Sequence, residues 1–255
     1  MRRVCFIGNS HAGCIALAVD ALNRDGGLDN VEIDIFASPQ DSSLSCTISE
    51  GQIRPTRDFV TASFTRTSGG QDTILLDRYD DIFILLGESP YSLRRYVPPF
   101  EDPQLPPPSD ALFKAIAGDW MIDRFTQFGR EVARQAGARA VHFIGRPQVS
   151  EKAPPSAKFR KFILGDEAEK DARLAMLARV RNAISQSVEA LSSEYASICT
   201  YPDSCLDEIS VFTRDTFRRG AKRLLAPDES QPANDYWHMN ADYGVALLGH
   251  LGLTR

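Results

Sequence analysis

Three residues have the types and spacing for nucleophilic chemistry: Ser10 near one end of the chain, and Asp235 and His238 near the other. Ser10 follows an apolar, β-prone run, Val4–Ile7, and a Gly8-Asn9 break, and it precedes a small, alanine-rich stretch suited to a helix. A serine at a helix entrance has two roles open to it. It caps the helix by accepting a first-turn N–H, or it acts as a nucleophile whose developing anion is favoured by the partial positive charge and free N–H groups there. Asp235 and His238 are three apart, and on a helical turn that spacing sets their side chains side by side. The aspartate then takes the imidazole Nδ1–H and leaves Nε2 to receive a proton, which is the orienter–base half of a Ser-His-Asp triad. The plainer alternative is an Asp cap beside an unrelated histidine. Joined to Ser10, the pair would perform acyl transfer through a seryl ester.

The two ends together resemble the SGNH hydrolases, the GDSL-like esterases and acyltransferases. The resemblance rests on Gly8, Asn9 and Ser10 after the first strand, and on the D-x-x-H of Asp235 and His238 before the last helix. The G-N-S-H variant and the tail His238, Asn240, Tyr243, Gly244 are similar to bacterial branches that act on acylated sugars or polysaccharides. The resemblance implies Ser10 as nucleophile, His238 as base and Asp235 as orienter. It also implies a small acyl group such as acetyl, a carbohydrate or small-molecule ester as substrate, and no cofactor.

For the oxyanion the resemblance implies the Ser10 N–H, a glycine after the second strand and a residue after the strand at Tyr79–Leu86. Gly51 is the choice for the glycine, with Gly69 and Gly70 as rivals and a simple turn as the plainer role for each. The family closes the later strand with G-x-N-D. Here Gly87 matches and Ser89 stands in the place of the Asn. A serine hydroxyl can donate one hydrogen bond; a backbone N–H near Glu88 is the alternative donor. Asn9, Gly87, Glu88 and Trp237 complete the expected lining of the substrate site, Trp237 packing against either substrate or core.

The elements that must position these residues follow from periodicity. Strands are expected near Val4, Val31, Ile82, Val141 and Ile198, alternating with helices. That order predicts an α/β fold: a three-layer α/β/α sandwich of flavodoxin-like form, with a five-stranded, mainly parallel sheet and one domain over 1–255. Sites in such sheets lie beyond the carboxyl ends of the strands, where Ser10, Gly87 and the D-x-x-H turn would converge. Ala12–Asn23 reads as the first helix. The stretch 37–70 reads as a long loop with a short strand near Phe59–Phe64, and 97–108 as an extended proline-rich segment. Helices are expected over 109–136 and 166–195, and a last one over about 240–251. His142, inside a strand, reads as a buried or edge histidine rather than a second base. The basic residues of 145–165 read as a solvated loop rather than an anion-binding rim.

Composition bounds the function further. The net charge of −5 over 255 residues argues against nucleic-acid or anionic-membrane partners. No apolar run approaches a membrane span. The apolar stretch after Arg2 and Arg3 stops at Gly8, so it reads as a first strand and not a signal peptide. Five scattered cysteines form no C-x-x-C pair, which argues against zinc and for a cytoplasmic protein with reduced thiols. Two rival readings remain. One is a Rossmann-like nucleotide binder using Gly8, Gly13 and Asp34, though the G-x-G-x-x-G and G-K-[ST] motifs are missing. The other is a catalytically inactive binding protein of the same fold, suggested by Ser89.

Overall fold

The computed structural model describes residues 1–28, 30–85, 124–137, 140–154, 197–208 and 212–254, together with positions 109, 111, 115, 171 and 175. In chain order the elements are β1 (Arg2–Gly8), a 3-10 turn (Ser10–Ala12), α1 (Gly13–Asp25), β2 (Val31–Ala37), β3 (Cys46–Ser49), β4 (Gln52–Pro55), α2 (Asp58–Thr67), β5 (Ile74–Leu75) and β6 (Asp81–Leu85). There follow α3 (Arg124–Ala136), β7 (Ala140–Ile144), β8 (Ser197–Cys199), β9 (Lys222–Arg223), β10 (Ala226–Ser230) and α4 (Ala241–His250).

Five strands form one sheet in the order β2-β1-β6-β7-β8, every pair parallel. Side chains alternate across a sheet, and this one is buried on both faces. Val4 and Phe6 of β1 join Ile35, Phe83 and Leu85 in a core shared with Ile15 of α1 and Leu247 and Leu248 of α4. Cys5 and Ile7 turn the other way and join Phe36, Ile82 and Ile84 in a core shared with Val60 and Phe64 of α2 and Val132 of α3. Two-sided burial explains why β1 and β6 read as unbroken apolar runs. The result is the three-layer α/β/α architecture, with the five strands where the sequence puts them.

The stretch 37–70 departs from expectation. It holds the β3–β4 hairpin, which pairs with β5 in a small antiparallel sheet, and the helix α2. Its Thr and Ser residues suggest a loop with a short strand near 59–64, yet Thr61, Ser63, Thr65 and Thr67 each return a hydroxyl hydrogen bond to the carbonyl four residues back. Those bonds satisfy the hydroxyls along the helix itself, and burial of its apolar stripe outweighs their weak helix preference. Val60, Ser63 and Phe64 then form the buried stripe. The segments 97–108 and 155–165 lie outside the described residues. So do all of the expected helix 166–195 but two positions, and most of 109–123 ahead of α3.

Candidate active site

β1 stops at Gly8, and the chain turns through Asn9 into the 3-10 turn Ser10–Ala12. The cap of this turn is Asn9, not Ser10. The Asn9 side-chain oxygen accepts the His11 N–H at 3.0 Å, which corrects the expected capping role of the serine and gives Asn9 a structural one. Ser10 is the first residue of the turn, so its hydroxyl is free of the cap. Residues after β2 brace the same turn, since the Gly8 carbonyl accepts the Ser38 N–H at 3.2 Å and the Ser43 hydroxyl at 2.5 Å.

The Ser10 Oγ lies 2.9 Å from His238 Nε2, and His238 Nδ1 lies 2.6 Å from Asp235 Oδ2. The segment carrying Asp235 and His238 is irregular and not helical. The two side chains meet because Asp235 Oδ1 accepts the N–H groups of Trp237 and His238, at 2.8 and 3.1 Å, and folds the chain around its own carboxylate. Burial pushes the Asp235 carboxyl up. The two backbone N–H groups and the His238 ring outweigh it and hold the carboxyl below its ordinary value. The carboxylate therefore stays charged near neutrality and can only accept, so His238 must carry its proton on Nδ1 and offer a lone pair at Nε2 to the Ser10 hydroxyl.

A clamp holds this segment from behind. Buried Asp215 accepts Arg218 Nε at 2.8 Å and Arg219 Nε at 2.7 Å, and Arg218 Nη1 donates to the carbonyls of Ala233 and Asp235. Asn240 caps α4 through Tyr243 N–H and ties it to the carbonyls of Thr216 and Arg219. Asn240 and Tyr243 stand in the tail that carries the resemblance, whereas Asp215, Arg218 and Arg219 were missed, because their contacts across 215–235 leave no periodic signal.

No protein-family model matches the sequence, and no curated protein matches it. Among solved structures, the chain is similar to the lipase Lip_vut3 from a goat rumen metagenome, with a TM-score of 0.44 and 9% identity over 99% of this chain and 96% of that one. It is also similar to the periplasmic domain of a lipopolysaccharide acetyltransferase from Salmonella ser. Paratyphi A, with a TM-score of 0.39 and 10% identity over 98% and 82%. A carbohydrate esterase family 3 structure from Talaromyces cellulolyticus gives a TM-score of 0.35 and 10% identity over 99% and 95%.

The other expected site residues fall out differently. Trp237 is half-buried, with the Arg146 guanidinium 5.5 Å from its ring centroid. Gly51 sits at the tip of the β3–β4 hairpin with a φ of +71°, where glycine turns the chain without strain. Its N–H is given to Gln135 Oε1 at 3.2 Å. It is therefore a turn glycine, and its donor is spent outside the oxyanion role expected of it. Gly87, Glu88 and Ser89 lie outside the described residues. Asp34, the acid of the nucleotide reading, is taken up by the Tyr79 hydroxyl at 2.7 Å and Gln71 Nε2 at 3.1 Å.

A second Asp–His–Ser array shows how little residue types mean without placement. His142 Nε2 is 3.2 Å from Asp81, and its Nδ1 is 2.6 Å from the Ser197 hydroxyl. These three sit toward the opposite, amino-terminal edge of the sheet on neighbouring strands, and Arg2 Nε is 2.6 Å from Asp81. The array is an edge clasp across β6, β7 and β8, and His142 is half-buried within it.

Proposed function

We propose that the chain is a serine-dependent O-acyl ester hydrolase or O-acyltransferase. The observation that carries this reading is the continuous Ser10–His238–Asp235 hydrogen-bond chain, with distances of 2.9 and 2.6 Å. Ser10 Oγ attacks the ester carbonyl as its proton passes to His238 Nε2, and Asp235 steadies the imidazolium. The Ser10 N–H faces the oxyanion at the start of the 3-10 turn. Collapse of the tetrahedral adduct breaks the ester bond, and the departing alkoxide takes the proton from Nε2. Water or an acceptor hydroxyl, deprotonated by the same nitrogen, then releases the acyl group.

On the family resemblance, the acyl group is small, such as acetyl, and is carried on a carbohydrate. The half-buried Trp237 indole beside His238 suits the apolar face of a sugar ring. The test is labelling by a fluorophosphonate probe alongside p-nitrophenyl acetate turnover, on wild type and on Ser10→Ala. The expected result is labelling and turnover in the wild type and neither in the folded Ala variant. Turnover that survives the substitution would overturn the assignment.

A further inference from the structure

His11 follows Ser10 directly and has no part in the proton transfers above. Its ring stacks on that of His238, with centroids 4.7 Å apart and planes 18° apart. We propose that His11 is a positioning residue, a fixed platform whose face holds the His238 ring in the plane where Nε2 meets Ser10. This rests on the reading of His238 as the base.

The need for a platform comes from the geometry of the hydrogen bonds. Asp235 and Ser10 grip His238 at opposite edges of its ring. Two such bonds fix the ring along the line that joins them but resist tilting about that line only weakly. Contact on the ring face supplies the missing restraint. His11 is itself immobile: it is 7% exposed and its N–H is held by Asn9. Ser10 and His11 also belong to one 3-10 turn. The base is thereby registered to the backbone that carries the nucleophile.

His11 meets His238 through its ring face. Its Nδ1 is buried with no hydrogen-bond partner among the described residues. Burial, reinforced by the nearby His238 and Arg146, lowers its pKa to about 3. Asp235 and a backbone hydrogen bond at Trp237 act the other way without reversing this. The platform therefore stays uncharged while His238 gains its proton in the reaction, and it offers an aromatic face to the cation formed.

The experiment compares wild type, His11→Phe and His11→Ala. Readouts are fluorophosphonate labelling, kcat and KM for p-nitrophenyl acetate across pH 5–9, thermal unfolding, and the NMR resonance of the His238 Nδ1–H proton. Phe keeps the face and gives up the nitrogens. It should stay within about three-fold of wild-type kcat with an unchanged pH profile, whereas Ala should lose about ten- to hundred-fold in kcat at nearly constant KM. The Nδ1–H resonance should persist in the Phe variant and broaden or vanish in the Ala variant. Wild-type kcat in the Ala variant, or a loss in the Phe variant as deep as in Ala, would overturn the proposal. If the Ala variant does not fold, the Phe variant decides: a lost Nδ1–H resonance or collapsed kcat rejects the platform, and retention of both supports it. If folded wild type neither labels nor turns over, the acyl-enzyme reading fails by itself, and the resonance comparison still judges the stack.

Discussion

Asp235→Asn separates orientation of the base from stability of the loop. In the wild type, Oδ1 accepts two backbone N–H groups and Oδ2 accepts the His238 Nδ1–H at 2.6 Å. An amide can keep its oxygen on the two N–H groups, but its NH₂ then faces Nδ1. The imidazole must answer with the other tautomer, a lone pair on Nδ1 and the proton on Nε2. It then has no basic nitrogen toward Ser10. The same swap in a serine protease costs about ten-thousand-fold in kcat, roughly 5 kcal/mol of transition-state stabilisation. Because the N–H bonds survive, the stability cost should be at most about 1 kcal/mol, or about 2–4 °C in Tm. The assay is the rate of fluorophosphonate labelling of Ser10 beside a thermal melt. A variant that melts near wild type but labels at least about a thousand-fold more slowly fits the reasoning. One that labels at the wild-type rate would refute it, since the carboxylate would then not set the tautomer.

Two further outcomes test the scaffold. Gly244 lies where α4 crosses α1 so closely that a Cβ there would fall 2.1 Å from the Cys14 carbonyl oxygen and 2.7 Å from Ala18 Cβ. Gly244→Ala should therefore cost about 3 kcal/mol, roughly 6–12 °C in Tm by thermal unfolding. The edge clasp predicts acid sensitivity. Burial raises the Asp81 carboxyl, but the bonds from Arg2 and His142 outweigh it and leave it below its ordinary value of 3.8. A depressed carboxyl contributes stability that is present above its unfolded value and lost as pH falls through the folded one. Asp81→Asn should lower Tm at pH 7, and the gap to wild type should close as pH drops below 3.8.

The parts of this molecule visible in the sequence are those set by burial and by short spacing. Two-sided burial writes itself as Val4–Ile7 and Ile82–Leu85, so the strands and their parallel order are legible. The three residues of the candidate triad stand out as chemical types at the ends of expected elements. Contacts made through space are another matter. α2 looked like a loop because its Thr and Ser residues favour other conformations until their hydroxyls bond back along the helix. Asp235 and His238 meet through an irregular turn, not a helical one, although the three-residue spacing was the same clue. The Gly51 N–H is taken by Gln135, which is 84 residues away in the chain, and no local pattern announces such a partner. The face-to-face contact of His11 with His238 is equally silent, since aromatic stacking across the fold leaves no periodicity.

The Ser10–His238 bond joins residues 228 apart in the chain. Contacts of such high separation form late, after most of the loop-closure cost has been met. Before α4 docks on α1, Ser10 is an ordinary alcohol with no base to take its proton. Reactivity toward a fluorophosphonate should therefore report on the completeness of folding, and not merely on the presence of the serine. On the proposed reading, a nascent or partly unfolded chain carries Ser10 without its base, and ester chemistry is confined to the native state.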